Sequence, residues 1–456
     1  MTEAFIVGAA TLKFGKRPRD GIKQLTAEVV QEVLQDAQLT AAELHSVWFA
    51  NAGWGMRAFQ HCIRGQVALR PLGIDGLPIV NVENACAGGA TALHGAYKDV
   101  ISGSCEVALA LGVEKLTGPN KYAVFAGFLA GTDVEELGAG AARLARQVAP
   151  AGQPAAVRGR RPARRRLSWR ARFGELRDRA AIAVQLGETL GYDALARLAR
   201  AGGAGGGEHS PFMDIYAYAA REHMQRYGST ARQLAEIAAK SHQFSAHNPR
   251  AQYQFSLSVE QVLADRVVAQ PLTRAMCAPI GDGAAAAIVM SAAAVRRHGL
   301  GSRAVRIRAS VLGSGRARAD SEPDIGERVS EQAYCAAGVG PHDIHVCELH
   351  DATAFGELHQ SEALGFFERG LGGVAAERGE TRLGGKLPIN PSGGLLSRGH
   401  PIAASGLAQI HELVTQLRGE AGARQVQGAR LALAENGGGA LGNEEAAMGV
   451  HILEAP

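Results

Sequence analysis

The stretch Pro78-Ile-Val-Asn-Val82-Glu-Asn84-Ala-Cys86-Ala-Gly-Gly89 decides how the chain is built. Pro78–Val82 is a short apolar run that reads as a strand. A turn of small residues follows. Ala90, Leu93, Tyr97 and Val100 then recur at spacings of three or four and predict a helix that Gly103 stops. The unit is strand, tight turn, helix, with a cysteine at the turn. Outward from it the alternation continues. Phe5-Ile-Val-Gly8 starts a strand, Leu25 to Leu34 fits a helix, Ser46-Val-Trp-Phe-Ala50 fits a strand, and Val107 to Val113 reads as a buried strand. Short strands alternating with helices predict an α/β architecture.

The second half of the chain repeats this programme. Ile344-His-Val-Cys-Glu-Leu349 corresponds to the strand at 46–50. Leu387-Pro-Ile-Asn390 echoes Leu77-Pro-Ile-Val80 and also enters a Gly-rich turn. Leu407, Ile410, Val414 and Leu417 mark a helix closed by Gly419, and Leu431-Ala-Leu-Ala434 matches the strand at 107–113. Self-similarity at half-chain period predicts two like units packed about a pseudo-twofold axis. The division falls at residues 1–295 and 296–456. The first half is interrupted by an excursion over roughly residues 115–250, in which Ile215 to Tyr227 and Leu234 to Phe244 read as helices and His247-Asn-Pro249 ends the second.

Composition bounds the function. With 46% hydrophobic and 20% charged residues among 456, the chain is foldable, and disorder and disulfide scaffolds are poor readings. The net charge of +4 is local. Ten arginines between Arg158 and Arg179 stand against Glu175 and Asp178, an excess of eight that leaves the rest of the chain at −4. This segment belongs to an Ala/Gly/Arg-rich insert at 135–207. It reads as a solvated helical or disordered insertion, as a nucleic-acid patch with Trp169 and Phe173 among the arginines, or as a GC-rich gene read out of frame. Six scattered cysteines without a C-x-x-C pair suggest neither a disulfide frame nor a zinc site. No signal peptide or membrane-length apolar run is read, so the expected location is the cytoplasm, with no membrane partner.

The chemistry gathers at three turns. A cysteine at a helix start faces the positive end of the helix dipole, which favours thiolate, and the small residues after Cys86 let a substrate reach backbone N–H groups. His350, in Glu348-Leu-His350-Asp-Ala, follows a buried strand. His400, in Asn390-Pro-Ser-Gly-Gly394…Ser397-Arg-Gly-His400-Pro, opens the helix that the repeat matches to the one Cys86 opens. A cysteine facing a histidine is the arrangement of an activated thiol nucleophile. Taken singly, Cys86 also reads as a small buried hydrophobe, and either histidine as structural.

Asn-Ala-Cys86-Ala-Gly-Gly, His350-Asp-Ala, Asn-Pro-Ser-Gly-Gly with Gly-His400-Pro, and a terminal Gly-Gly-Gly loop, in this order, resemble the thiolase superfamily. The resemblance covers nearly the whole chain except about 135–207, and Asp282-Gly-Ala-Ala-Ala-Ala resembles the end of that family's first half. It implies two duplicated βαβαβαββ-type halves in a five-layered αβαβα sandwich with an inserted loop domain. It implies that Cys86 carries the acyl group as a thioester, and that His400 activates this cysteine and helps hold a thioester oxygen. His350 stands where many thiolases have Asn; the His-Asp form resembles the sterol-carrier-protein type, with this His in the oxyanion site. The N–H groups of Cys86 and Gly437 correspond to a second oxyanion hole. Biosynthetic thiolases carry a second cysteine before the Gly-rich loop, and Glu435 stands in its place as a candidate acid/base, or as a binder of backbone groups.

The resemblance further implies cleavage of a 3-oxoacyl-CoA by coenzyme A as co-substrate, with no bound cofactor and no metal. The Glu-Asn-Gly-Gly-Gly ending resembles a subgroup acting on aromatic substrates such as benzoylsuccinyl-CoA in anaerobic toluene catabolism. Members of it pair with a small OB-fold, zinc-ribbon subunit, and thiolase-fold chains form at least homodimers. Two other readings stay open: a retro-aldolase or non-CoA acyltransferase on the same fold, and a non-catalytic subunit whose basic insert binds nucleic acid.

Overall fold

The computed structural model describes residues 3–118, 124, 127–134 and 209–456. Two compact units are distinguished, Met1–Thr117 with Met213–Pro456, and Gly118–Phe212. The insert at 135–207, with its arginines, lies outside the described residues, as does most of the second unit.

The first unit is organised by a mixed nine-stranded sheet. Its first half runs β3 (Ile79–Val82), β2 (Ser46–Ala50), β4 (Val107–Glu114), β7 (Gly283–Ser291) and β1 (Ala4–Thr11). Its second half runs β8 (Val305–Ser314), β11 (Ala447–Glu454), β10 (Leu431–Gly438) and β9 (Val346–Glu348). A separate hairpin pairs β5 (Val267–Ala269) with β6 (Leu272–Thr273). The pairings repeat. β2 is parallel to β4 as β9 is to β10, and β4 is antiparallel to β7 as β10 is to β11. Val47 donates to Pro78 O at 2.9 Å, and Cys347 donates to Pro388 O at 3.0 Å. The segment at 387–390, read as a strand, reduces to a single parallel bridge between Cys347 and Ile389. β1 and β8 join the halves through two antiparallel residue pairs.

The strands that bind these halves read as continuous apolar runs because both faces are covered. In β4, Val107, Leu109, Leu111 and Val113 pack on one side and Ala108 and Ala110 on the other; β7 divides in the same way. Helix α1 (Ile22–Ala37) covers the outer face of the first half. The short helices α2 (Trp54–Ala58) and α3 (Arg64–Leu69) lead to β3, and α4 (Gly88–Ile101) lies on the inner face. After α5 (Pro211–Tyr227), α6 (Ala231–Ser245), α7 (Val259–Leu263) and α8 (Ala292–His298), helix α9 (Ile325–Ala337) covers the outer face of the second half. Helices α10 (Ala354–Ala363) and α11 (Gly372–Glu377) precede α12 (Ser405–Leu417). Leu93, Ala96 and Val100 of α4 share one core with Leu407, Ile410 and Val414 of α12 and with inner-face residues of both half-sheets. The layers are helix, sheet, helix, sheet, helix.

Small residues let the two central helices approach. A Cβ on Gly89 would lie 2.9 Å from Leu407 N, and one on Gly406 would lie 2.7 Å from Ala90 N. The aligned helix starts are what bring the two halves' turns to one place. Asp282 fixes the same end of the sheet: its buried carboxylate accepts the N–H groups of Arg17, Leu116 and Thr117 at 2.7–2.9 Å and pairs with Lys115 Nζ at 2.6 Å.

Candidate active site

The turn after β3 sets Cys86. Ala85 has φ of +47°, a left-handed conformation uncommon for a residue with a Cβ, and it reverses the chain between strand and helix. Ala87 is the N-cap of α4, so the half-buried Cys86 sits one residue before the helix cap.

The structure brings Cys86, His350 and His400 together, with one ligand-type atom from each within 4.8 Å of the others. This is the one such donor cluster found among the described residues. His400 Nε2 lies 3.2 Å from Cys86 Sγ, and its Nδ1 lies 2.7 Å from Ser405 Oγ. Ser405 spends its only hydroxyl proton on Pro401 O at 3.1 Å. It therefore accepts from His400, which puts the ring proton on Nδ1 and leaves the Nε2 lone pair facing the sulfur. His350 is set the other way. Asn436 Nδ2 donates to its Nδ1 at 3.0 Å, so its proton is on Nε2 and its ring offers a donor. The two rings meet edge to face, centroids 5.1 Å apart.

The electrostatics correct one expectation. Burial, reinforced by the charges of Glu114 and Glu83, pushes the Cys86 thiol up to about 12, against the lowering expected at a helix start. The N–H groups of Cys86 and Gly439 oppose this and lose. Burial, and next the neighbouring His350 and Arg398, hold His400 well below its ordinary value; burial brings His350 down to about 4. The resting pair is thiol and neutral imidazole.

Two further corrections concern position. Measured from the matching C-terminal turns of α4 and α12, the repeat partner of His400 is Asn84, not Cys86. The 3-10 turn Ile402–Ala404 separates His400 from α12. Gly437 stays in the β10–β11 ladder opposite Met448, and its N–H faces the Glu435 carboxyl. The glycine whose N–H faces the Cys86 sulfur is Gly439, just past β10.

Glu435 is fully buried. Its Oε2 accepts the His350 N–H at 2.8 Å, and burial raises it to about 8, against the pull of that hydrogen bond. The loops carrying the histidines are bound to each other. Glu348 accepts from Ser392 N and Oγ at 2.9 and 2.8 Å and pairs with Arg398 at 3.0 Å; Asp351 accepts Leu395 N at 2.6 Å. Sequence reasoning missed Asn436, Ser405, Gly439 and Tyr216. The Tyr216 hydroxyl is raised well above its ordinary value by burial and by the charges of Glu445, Cys86, Glu435 and Asp351. Asn436 adjoins Glu435 in the quoted motif, whereas nothing in the helical pattern around Tyr216 marks it.

A duplicated βαβαβαββ fold with a Cys–His pair where its two central helices begin defines a class. Residues 4–136 match the thiolase N-terminal domain family and residues 316–453 the thiolase C-terminal domain-like family, and the chain belongs to the thiolase family of acyltransferases. It is 32% identical to an acetyl-CoA acetyltransferase of Methanothermobacter thermautotrophicus, covering 99% of this chain and 100% of that protein. It is 33% identical to human sterol carrier protein 2, over 96% of this chain and 70% of that one. To the benzoylsuccinyl-CoA thiolase subunit BbsB of Thauera aromatica it is 31% identical, over 93% and 91%. Among solved structures, the Ltp2-ChsH2(DUF35) aldolase superposes with a TM-score of 0.69 at 22% identity, covering 99% of this chain and 98% of that one. Human mitochondrial 3-ketoacyl-CoA thiolase gives 0.63 at 16%, over 100% and 99%. No helix among the described residues is long and apolar enough to cross a membrane.

Proposed function

We propose that this chain transfers an acyl group between the carbon of a 3-oxoacyl-CoA and the sulfur of coenzyme A, through an acyl-Cys86 thioester. The observation that carries this is the 3.2 Å approach of a neutral, Ser405-fixed His400 Nε2 to the Cys86 sulfur. In cleavage, His400 takes the thiol proton as Cys86 attacks the 3-keto carbon. The carbon–carbon bond breaks, and the electron pair passes to the enolate of the departing acyl-CoA, whose oxygen rests on His350 Nε2–H. A carboxylic acid protonates the enolate carbon, and Glu435 fills this role, since a group near 8 both gives and takes protons close to neutrality. The Cys86 and Gly439 N–H groups support the thioester oxygen when the CoA sulfur attacks, its thiol proton passing to the Glu435 carboxylate. Cys86 then leaves as thiolate and recovers its proton from His400.

The aromatic substrate is supported by the BbsB relative, and acetyl-CoA by the acetyltransferase relative. A small OB-fold, zinc-ribbon partner is supported by two names: BbsB is called a subunit, and the aldolase neighbour is a two-component assembly. A homodimer is supported by the sheet edge at β3, where Val80 is exposed, with Phe59 and Ile63 also exposed between α2 and α3. The test is mass spectrometry of the chain after mixing with aliphatic and aromatic 3-oxoacyl-CoAs, with and without the partner. Acyl mass on the Cys86 peptide, discharged by CoA, is the expected result. Turnover without any acyl-Cys86 favours the retro-aldolase reading and overturns this one.

A further inference from the structure

Only one oxygen of Glu435 makes a full hydrogen bond, although the Gly437 N–H faces the carboxyl. Oε2 holds the His350 N–H, while Oε1, buried, has no hydrogen-bond partner. Oε1 borders the place where Gly437 lacks a side chain. A Cβ there would lie 3.3 Å from Glu435 Oε1, 3.2 Å from Glu445 Cγ and 3.5 Å from Glu445 Oε1. Glu445 reaches in from the connection between β10 and β11, and its Oε1 accepts from Gln360 Nε2 at 3.0 Å. Its neighbour Glu444 turns elsewhere, to Arg318 and Arg328. Two carboxyls, one on β10 and one in the connection that follows it, therefore border the place where Gly437 carries no side chain.

We propose that Glu445 is the positioning partner of Glu435 in a carboxyl pair that shares one proton and presents it for exchange at the α-carbon of the acyl-CoA. The role at the α-carbon rests on the acyl-Cys86 reading; the pairing rests on the geometry around Gly437. Other elements also face the pair: Asp324 at the start of α9, His359 on α10, Tyr216 on α5, and Cys347 on β9. Burial raises both carboxyls, and Asp324 adds to this, while His359 opposes it at Glu445. The charge of Glu445 raises Glu435 further, so the pair keeps its one proton on Glu435 at neutral pH. In cleavage that proton goes to the enolate carbon, a C–H bond forming from the enolate's electron pair. The doubly ionised pair then takes the proton of the CoA thiol, whose S–H bond breaks as the sulfur attacks acyl-Cys86. One proton leaves and one returns, so the pair ends each turnover as it began.

The experiment is infrared difference titration of the full chain, following the protonated-carboxyl band that E435Q removes. In the wild-type protein this band disappears with a midpoint near 8. In E445Q, which removes the like charge and keeps the Gln360 contact, the midpoint falls by about one unit. In G437A, which drives a methyl group between the two carboxyls, it moves as well. An unchanged midpoint in both variants overturns the pairing. Deuterium exchange at the α-carbon of acetyl-CoA gives the functional readout: its pH profile moves with the band in E445Q, whereas a structural role lowers the rate and leaves the profile in place. Loading of Cys86 from acetyl-CoA moves no α-proton and, followed by mass in the wild-type chain, judges the acyl-Cys86 reading separately. A wild-type chain that never loads breaks the acyl-Cys86 reading and leaves the carboxyl titration to judge the pair.

Discussion

Superposed by strand register, the two halves place different residues at matching positions. Val47 stands opposite Leu109, and Cys347 opposite Leu433. In that frame Trp48, Asn51, Leu111 and Gly112 of the first half correspond to Glu348, Asp351, Glu435 and Asn436 of the second. The first half keeps mostly apolar or small residues there and contributes the one sulfur of the Cys86–His350–His400 cluster. The second replaces them with a buried polar web that orients two histidines. The duplication supplies a scaffold with two equivalent turns, and the difference between the turns supplies the chemistry.

The largest effect tests the asymmetry between Asn84 and His400, the matching residues of the two turns. His400→Ala removes the base facing Cys86 and lowers kcat/KM for thiolysis by about a thousandfold or more. Asn84→Ala removes a 2.9 Å hydrogen bond to Thr91 and costs about tenfold or less. Steady-state kinetics on both variants reads the ratio, and equal losses would mean that both turns, not one, carry the reaction.

Next in size is the polar web. Arg398→Met leaves the Glu348 carboxylate buried without its cation and destabilises the chain by about 3–5 kcal/mol in urea unfolding. The second half then lacks what its counterpart never needed, since Trp48 stands at the position of Glu348. The double variant Glu348→Leu/Arg398→Met restores the apolar solution and recovers most of that loss. No recovery would show that the web stabilises beyond the ion pair itself.

How much of this was legible in the sequence follows the same division. β2 was read to the residue, and α4 and β4 nearly so, because their apolar periods are uninterrupted and their ends carry glycine or polar breaks. β8, β11 and α9 were not drawn out. β8 carries Arg306 and Arg308, whose pairing with Glu454 exists only in three dimensions. Cys86 and His400 could be singled out because each stands in a short Gly- or Pro-flanked turn, and His350 because it follows a buried strand. Their protonation states could not be read. The thiol's rise to about 12 comes from the packing of two half-sheets around it, and the imidazole tautomers from Ser405 and Asn436, none of which is a local property.

A smaller effect concerns Glu435 against its apolar counterpart Leu111. Its value in the folded chain, about 8, lies above the ordinary carboxylate value of 4.5, so its contribution to stability is present below pH 4.5 and lost as pH rises through 8. Glu435→Gln carries no such loss. The stability of the variant relative to wild type therefore rises between pH 5 and 8.5, by about 1.4 kcal/mol per unit at most and a few kcal/mol in all. Urea midpoints at four pH values measure it, and a flat difference would mean that the carboxyl is not held protonated.

The smallest effect lies at the outer helices, which match each other as the central ones do. α9 opens on Asp324, whose carboxylate accepts Glu327 N at 3.0 Å while Glu327 answers at Asp324 N at 2.8 Å; Arg369 and His359 pair with it as well, and together these partners hold it below the usual carboxylate range despite burial. α1 opens on Gly21, which has no side chain to cap with. Yet Gly21 sits at φ −93°, ψ 174°, the extended geometry a capping residue adopts. Gly21→Asp therefore requires no backbone change, meets no atom within 4 Å of its Cβ, and brings an acceptor and a negative charge to a bare helix start. It stabilises the chain by a few tenths of a kcal/mol to about 1 kcal/mol, while Asp324→Ala costs more, because it also takes a carboxylate partner from both Arg369 and His359. If the gain at Gly21 equalled the loss at Asp324, the ion pairs around Asp324 would contribute nothing and the two helix starts would differ only in their caps.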